Sequence, residues 1–427
     1  MKRTLILVCL LLPVSLLFLS CGSSSSSNGS TSSGLKFRAF ISQDVNASPV
    51  TPGVQIIDAA KDVRAIVAPI SAGATPGMMV VTPNRVQTLV FSPADNNLTF
   101  ISNGGESAAG RINLPGFTES IVVSPDSLIG YAAIPTASVV GQPPGLLDII
   151  NLNNGTIPAE INIPAVRYLA LGHSGNRLLA FSDNSNSVAV ISFGTGNPTV
   201  AFVDGFDRPV AAFFSGDDST AVVVNCGAEC GGSQASVQKL DLTNSTCPPF
   251  GVCPPSPVPV ATMAVVDGTT MYLAGTPIPN PDPLPCTGQA TAATSCGLLT
   301  IFDLNSMSIV NPAPIVITDG FHNRMVLGAD GQLFIGAKSC TEIIPSILPP
   351  PDAEVRGCLS IYNTQTGAVV IPPANGDVTG IEPISNRHVV YLAQGGELQI
   401  YDTTTDKLQT TQIDISGEVI DVKVIDF

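Results

Sequence analysis

Residues 121–134 read IVVSPDSLIGYAAI, which is a short apolar strand, a tight polar turn and a second apolar strand. Ser, Pro and Asp together are typical of the turn that joins two neighbouring antiparallel strands. The same landmark, an apolar strand that ends in a polar turn, recurs along the chain. Closer and looser copies are residues 78–84 (MMVVTPN), 168–173 (YLALGH) and 211–217 (AAFFSGD), and others end at Asp267-Gly268, Asp330-Gly331 and Asn386.

A second landmark follows the first in most copies. It is an alternating strand closed by a small polar residue, as in residues 54–58 (VQIID). Asp, Asn and Ser hydrogen-bond the backbone of the turn that they open, so we interpret these residues as structural. The closing positions are Asp58, Ser102, Asn151, Ser192, Asp241, Asp303, Asn363 and Asp402. Repeats of ~40–50 residues with about four short strands each are typical of propeller blades, so we predict an all-β chain folded as a β-propeller of four-stranded blades.

The repeated segments resemble the YVTN-type β-propeller repeat, in which Ser-Pro-Asp-Gly and an Ile-Asp ending frame short apolar strands. The likeness is carried by Ile121–Asp126, by Ile129–Ile134 and by the endings Ile57-Asp58 and Phe302-Asp303. It extends over about residues 36–427, although no copy reads Tyr-Val-Thr-Asn. The resemblance implies the fold and implies little about function.

The two ends of the chain are predicted to share one blade. Residues 36–70 supply only three strands, around Phe37–Ser42, Val54–Asp58 and Arg64–Ile70. The missing inner strand is expected at Glu418–Phe427, where apolar and charged residues alternate. Pairing the two ends would close the ring and remove two exposed strand edges. The count is then eight blades in a single domain over residues 36–427, with seven blades as the alternative.

The N-terminus is predicted to be a lipoprotein signal peptide over residues 1–20. A basic start is followed by an apolar run from Leu5 to Leu19, which is too short to cross a bilayer. The segment FLSC, residues 18–21, resembles the bacterial lipobox, which implies that Cys21 is lipidated. Residues 21–35 are the lipidated cysteine and a tether, since positions 22–34 contain only Gly, Ser, Thr and Asn. The analogy with bacterial lipoproteins favours the outer membrane, and an ordinary signal peptide with a spectator cysteine is the alternative.

Charge excludes nucleic acid as a partner. The chain has 33 acidic and 18 basic residues, a net charge of −15, and contains no basic cluster beyond its first residues. Such a chain repels a phosphate backbone, because binding one requires Lys and Arg to replace the condensed counterions.

The eight cysteines that follow Cys21 are predicted to form disulfides, since an even number in an exported protein is typical of them. A metal site is not expected, because no Cys-x-x-Cys occurs and histidines are absent nearby. We favour sequential pairing because each pair brackets one loop. The predicted pairs are Cys226–Cys230, Cys247–Cys253, Cys286–Cys296 and Cys340–Cys358. Three of these loops should lie on one face, including the long Pro-rich loops at about 276–296 and 338–357, which suggests either a binding surface or protection from proteases.

Candidate catalytic residues are few, because the common hydrolase, metalloprotease, phosphate-loop and haem motifs are all missing. His173 and His388 lie beside turns and are expected to be exposed. The residues just before the predicted inner strands should ring the mouth of the central channel: Glu119, Arg167, His322 and Arg324, with Arg208 and Asp377 close by. They form either a structural ring of ion pairs or a ligand site in which arginines clamp a carboxylate while His322 and Glu119 act as base and acid.

The sequence therefore predicts an exported, lipid-anchored binding module of the cell envelope, without a cofactor. Its partners are expected to be the membrane, through the anchor, and a protein or envelope polymer, through the loops. A channel-site hydrolase or lactonase and a purely structural envelope component are the alternatives.

Overall fold

The computed structural model describes residues 32–44, 51–194, 196–243, 251–277, 297–311, 313, 315–340, 343–344, 354–355, 357–372 and 376–426. Nearly all the regular structure in these ranges is β-strand, with one short 3₁₀ helix at Gly227–Cys230. No helix within the described ranges is long and apolar enough to cross a membrane.

The strands follow one another in groups that define eight blades. Blade 1 contains β1 Arg38–Asp44, β2 Gly53–Asp58 and β3 Val63–Arg64. Blade 2 contains β4 Met79–Val81, β5 Gln87–Ser92, β6 Asn97–Ser102 and β7 Ser107–Asn113. Blade 3 contains β8 Ser120–Val123, β9 Ile129–Ile134, β10 Leu146–Asn151 and β11 Thr156–Asn162. Blade 4 contains β12 Val166–Leu171, β13 Arg177–Ser182, β14 Ser187–Ser192 and β15 Thr199–Asp204. Blade 5 contains β16 Pro209–Phe214, β17 Thr220–Asn225, β18 Ser236–Asp241 and β19 Ser256–Pro257. Blade 6 contains β20 Met263–Asp267, β21 Thr270–Gly275, β22 Gly297–Asp303, β23 Ser308–Ile309 and β24 Ile315–Ile317. Blade 7 contains β25 Phe321–Leu327, β26 Gln332–Lys338, β29 Leu359–Asn363 and β30 Val369–Val370, with the separate hairpin β27 Ile343–Ile344 and β28 Glu354–Val355 between β26 and β29. Blade 8 contains β31 Val378–Pro383, β32 Val389–Gln394, β33 Glu397–Asp402 and β34 Lys407–Leu408. The last strand, β35 Glu418–Val424, belongs to blade 1.

The blades form a closed ring. In each blade the strands pair in antiparallel sequence from an inner strand outward, and the outer strands β7, β11 and β15 are mostly exposed. The inner strands β4, β8, β12, β16, β20, β25 and β31 each contact the inner strand of the next blade, and both β4 and β31 contact β35. The fold is an eight-bladed β-propeller.

The closure predicted from the two ends of the chain is present. Strand β1 lies between β2 and β35, so the sheet order of blade 1 is β3-β2-β1-β35. Ile41 of β1 lies opposite Val422 of β35 in an antiparallel register. The third N-terminal strand is shorter than expected, because β3 covers only two residues and an isolated bridge joins Val54 to Ile70.

The second sequence landmark marks the same position in every blade. Each of the eight closing residues is the last residue of the strand that precedes the outer strand. Asn363, for example, accepts hydrogen bonds from the backbone N–H groups of Gln365 and Thr366, at 3.0 and 2.9 Å. Seven of the eight side chains, all but Ser192, accept such a hydrogen bond among the described residues and so stabilise the turn into the outer strand, as the sequence interpretation proposed.

The core is divided among the blade interfaces. One cluster of buried apolar side chains lies between each pair of neighbouring blades, such as Leu89 and Phe91 of blade 2 against Ile121 and Ala132 of blade 3. Both faces of the middle strands are buried in this way, which explains their nearly continuous apolar sequences. The packing is largely aliphatic, since the chain contains no Trp.

Asp148 is a buried carboxylate on β10 whose two oxygens have no hydrogen-bond partner among the described residues. Burial, and secondarily the charge of Glu160, raises the pKa of Asp148 to about 7. Between about pH 4 and pH 7 the folded protein therefore keeps a proton that the unfolded chain releases, so Asp148 lowers the free energy of unfolding as the pH rises.

We expect Asp148→Asn, which cannot titrate, to gain stability relative to the wild type by about 1.4 kcal/mol per pH unit between about pH 5 and pH 7. Urea unfolding at several pH values measures this difference. Asp126→Asn is the control, because hydrogen bonds from Ser124 and Leu128 lower the pKa of Asp126. Its carboxylate is therefore ionised in both the folded and the unfolded chain between about pH 5 and pH 7, and the substitution should leave the slope of stability against pH unchanged there. Stability curves of Asp148→Asn and wild type that run parallel with pH would contradict the prediction.

Candidate functional site at the mouth of the central channel

All inner strands begin on one face of the propeller. In each blade the strands occupy four positions that alternate in direction, with β23 and β24 sharing the outer position of blade 6, so the chain enters every blade on the same side. The connections between blades, and those between the second and third strands of blades 2–8, lie on that side too. We call it the upper face.

A cavity of about 360 Å³ lies where the central channel opens onto the upper face. All eight blades contribute to its wall, and its volume falls within the range of small-molecule sites. We call it the channel-mouth cavity. Its lining residues are Gly77, Met78, Phe91, Pro93, Phe117, Thr118, Glu119, Tyr168, Val210, Ala211, Thr262, Met263, Phe321, His322, Asn323, Arg324, Lys338, Thr379, Ile420 and Asp421.

The wall of this cavity is mostly apolar. Phe117, in the connection before β8, and Phe321, at the start of β25, are 42% and 45% exposed. Met78 and Ile420 add aliphatic surface from blades 2 and 1. A cavity with this composition suits a ligand with an apolar body, with its few polar groups setting orientation.

A second pocket of about 420 Å³ adjoins the channel-mouth cavity over blades 4 and 5. The two share Glu119, Tyr168 and Phe321 in their walls, so they form a continuous depression on the upper face. This pocket is more polar, because Arg208 and Glu229 also line it.

Arg167 is held by two carboxylates. Its Nε and Nη2 donate to Asp183 at 2.6 Å each, and its Nη1 donates to Glu119. Hydrogen bonds to Asp183 and Glu119 raise the pKa of Arg167 above its usual value. Of the two alternatives, the structural ion pair therefore applies to Arg167 and Glu119, because their charges are already compensated within the protein.

His322 is buried in the wall of the cavity. Its Nε2 lies 3.0 Å from the carbonyl oxygen of Thr318, while its Nδ1 is shielded from solvent and has no hydrogen-bond partner among the described residues. Burial lowers the pKa of His322 to about 4, so the ring is neutral at pH 7. Gly297 allows this packing, since a Cβ there would lie 1.9 Å from the same Thr318 oxygen.

Arg324 differs from Arg167 because it has no carboxylate partner among the described residues. Its Nε donates to the carbonyl oxygen of Thr379 in blade 8 at 3.0 Å, and its Nη1 donates to the carbonyl oxygen of Asn323 at 2.9 Å. Lys338, at the end of β26, lines the same cavity. The sequence did not point to Lys338, because its position at the end of a second strand does not show that its side chain reaches the channel.

The two residues predicted close to the ring have different surroundings. Arg208 lines the second pocket and donates to the carbonyl oxygen of Gly231 at 3.3 Å. Asp377 accepts a hydrogen bond from the backbone N–H of Ser339 at 2.7 Å and so braces the loop that follows β26. Asp377 is not among the residues that line either cavity.

Glu229 is a site residue that the sequence analysis missed. It lies in the 3₁₀ helix inside the Cys226–Cys230 loop and accepts a hydrogen bond from the backbone N–H of Thr276 at 2.8 Å. Burial raises the pKa of Glu229 to about 7. An acidic residue between two closely spaced cysteines was the signal that could have drawn attention to it.

Two of the predicted disulfides, Cys226–Cys230 and Cys340–Cys358, are present. They follow β17 and β26, in connections between second and third strands, so both lie on the upper face. Cys253 is disulfide-bonded as well. The other predicted cysteines and the lipidation site, Cys247, Cys286, Cys296 and Cys21, lie outside the described residues, as do most of the loops at 276–296 and 338–357.

The other two histidines are exposed, as predicted, with His173 beside Asp218 and His388 beside Asp330. Within the described ranges, no group of three or more His, Cys, Asp or Glu side chains is placed to hold a metal ion.

Neither a protein-family model nor a curated protein sequence matches the chain. Solved structures do resemble it. Dihydro-heme d1 dehydrogenase NirN in complex with DHE is 12% identical over 92% of this chain and 75% of that chain, with a TM-score of 0.61. Kuenenia stuttgartiensis hydrazine synthase is 13% identical over 80% of this chain and 96% of that chain, with a TM-score of 0.54. The β-propeller domain of Myceliophteria thermophila Cps50 (Swd1) is 9% identical over 76% of this chain and 94% of that chain, with a TM-score of 0.52. They share the β-propeller fold. At such low identity the likeness concerns the fold alone.

Proposed function

We propose that this protein is a lipid-anchored β-propeller of the cell envelope that binds a partner through its upper face. The observation that carries the proposal is the concentration of site features on that face. Both described disulfides, the channel-mouth cavity and two exposed phenylalanines lie there. Disulfides that hold loops in place lower the ordering cost of binding, because less conformational freedom is lost.

Anchoring and location rest on the N-terminal sequence. The FLSC segment at residues 18–21 and the Gly/Ser-rich tether support lipidation at Cys21 and export, with the outer membrane as the proposed location. The net charge of −15 supports a protein or an envelope polymer as the partner and argues against a nucleic acid.

Binding fits the site better than hydrolysis does. A hydrolase that used His322 as base and Glu119 as acid would need both groups available to the substrate. Glu119 is engaged by Arg167, and the Nδ1 of His322 is shielded from solvent. That both residues line the same cavity is the one observation that favours the hydrolase alternative.

Site-specific photo-cross-linking in cells tests the proposal. A photoreactive phenylalanine analogue at Phe321 or Phe117 should capture a specific partner, because these side chains are exposed on the upper face. The matched control is the same analogue at Val86, which is 57% exposed in the turn between β4 and β5 on the opposite face. Mass spectrometry of the captured species identifies the partner and the contact.

Equal capture from Val86 and from the two upper-face positions would overturn the proposal. Loss of the anchor in a Cys21→Ser variant should release the protein from the membrane fraction, and retention would overturn the lipid anchor. Turnover of a lactone or ester that is lost in His322→Asn would replace binding by the hydrolase alternative.

A further inference from the structure

The charges that line the channel-mouth cavity are unequally compensated. Glu119 is paired with Arg167, and Asp421 with Lys423, whose Nζ lies 3.5 Å from its Oδ1. Asp421 also accepts a hydrogen bond from the backbone N–H of Met79 at 2.8 Å. The two acidic groups of the wall are therefore satisfied inside the protein.

The two basic groups of the wall, Arg324 and Lys338, have no acidic partner among the described residues. Within the described part of the chain, the Arg324 side chain has only backbone carbonyl oxygens as partners, and the side chain of Lys338 makes no hydrogen bond or ion pair. A guanidinium carries five N–H donors, and the two hydrogen bonds of Arg324 leave the Nη2 group unused. A partly buried cation without a counterion is costly, so this arrangement favours an anion from outside.

The rest of the wall limits what that anion can be. The same cavity that Arg324 and Lys338 line has apolar surface from Phe117, Phe321, Met78 and Ile420. Phosphate or sulfate would lose its hydration against these side chains without replacement. A carboxylate attached to an apolar body matches both parts of the wall, because the fork of Arg324 suits a planar carboxylate and the aromatic rings suit the body.

We propose that the channel-mouth cavity binds a small organic monocarboxylate, with its carboxylate between Arg324 and Lys338 and its apolar body against Phe117 and Phe321. This inference goes beyond the proposed function, since it adds a small-molecule ligand to the protein or polymer partner proposed for the upper face. The volume of about 360 Å³ accommodates a ligand of roughly the size of a medium-chain carboxylate.

Isothermal titration calorimetry of the intact protein with octanoate, acetate and octanol is the test. Octanoate should bind more tightly than acetate, which lacks the apolar body, and than octanol, which lacks the charge. Arg324→Gln and Lys338→Gln should each weaken octanoate binding about 10- to 100-fold, because each removes a charge-assisted contact. Arg111→Gln is the matched control, since Arg111 is an arginine on the outer strand β7 that hydrogen-bonds Ser71 away from the cavity, and it should leave the affinity unchanged.

Lys338→Gln keeps the test valid if Arg324→Gln does not fold, because the Lys338 side chain makes no hydrogen bond or ion pair with another described residue, whereas Arg324 bonds to Thr379 of blade 8. Three results would each overturn the inference. The first is that octanoate produces no heat of binding, and the second is that acetate or inorganic phosphate binds as tightly as octanoate. The third is that the wild type and both Gln variants bind octanoate equally. If one of these results is obtained and the analogue at Phe321 still captures a partner in cells, the carboxylate site is excluded while the proposed partner binding is still supported.

Discussion

A chain that ends at Gly417, and so lacks β35, is expected not to fold into a closed ring. Strand β35 is the inner strand of blade 1, and its removal leaves β1 with an unpaired edge facing the channel. It also removes four buried apolar side chains, Val419, Val422, Val424 and Ile425. At about 1.5–3 kcal/mol each, they contribute about 6–12 kcal/mol, which approaches the whole stability of a typical domain, ~5–15 kcal/mol.

Circular dichroism and size-exclusion chromatography of the truncated protein measure this effect, with loss of cooperative unfolding and aggregation as the expected result. A synthetic peptide of residues 418–427 should restore folding by adding the missing strand. The same peptide with Val422→Asp is the matched control and should not, because Val422 is fully buried opposite Ile41. A truncated chain that unfolds cooperatively near the wild-type midpoint would show that closure by β35 is dispensable.

Asp62→Asn is expected to lower the free energy of unfolding by about 3 kcal/mol, because it removes the charge from a network that joins blade 1 to blade 8. Arg387 donates to both carboxylate oxygens of Asp62, and the buried hydroxyl of Tyr391 donates to the same carboxylate. Burial and the hydrogen bond to Asp62 raise the pKa of Tyr391 above its usual value. Asn is the appropriate replacement because Asp62 has a φ of 58°, a left-handed conformation that Asn tolerates and Ala does not.

Urea unfolding measures the loss, and Asp58→Asn on the same turn is the control. Asp58 pairs with the exposed Lys61, so its neutralisation should cost less than about 1 kcal/mol. In the double variant with Tyr391→Phe, the cost of Asp62→Asn should shrink, because one of its partners is already absent. Equal effects of the two Asn substitutions would contradict the role of the network.

The architecture of the propeller could be predicted because its signals are local and repeated. Asp58 and Asp402 close strands in the first and last blades by the same hydrogen bonds to the following turn. Apolar residues that alternate with charged ones near the C-terminus, such as Ile420 and Val422, identified a strand that has no neighbouring strand close to it in sequence to pair with. Counting strands then led to the closure that β1 and β35 make.

The candidate site could be predicted only in part. The turns that precede inner strands placed Glu119, Arg167, His322 and Arg324 around the channel, and all but Arg167 line the channel-mouth cavity, with Arg167 in the adjoining pocket. Their chemical states were not predictable, because a charged side chain acquires its state from neighbours on other strands and blades, such as Asp183 and Glu119 for Arg167. Lys338 was missed because its position at the end of β26 does not show that its side chain reaches the channel.

The sequence by itself determined the strand periodicity, the turns and the blade that contains both ends of the chain, since each depends on residues close in sequence or on counting strands. The strand count favoured eight blades over seven, and the tertiary structure decided for eight. Only the tertiary structure decided which charges are compensated. Arg167 lies between two carboxylates, whereas Arg324, at the equivalent end of another inner strand, has only carbonyl oxygens among the described residues. The difference arises because Coulombic and hydrogen-bond energies depend on distances between side chains on different strands and blades, and no local pattern in the chain encodes those distances.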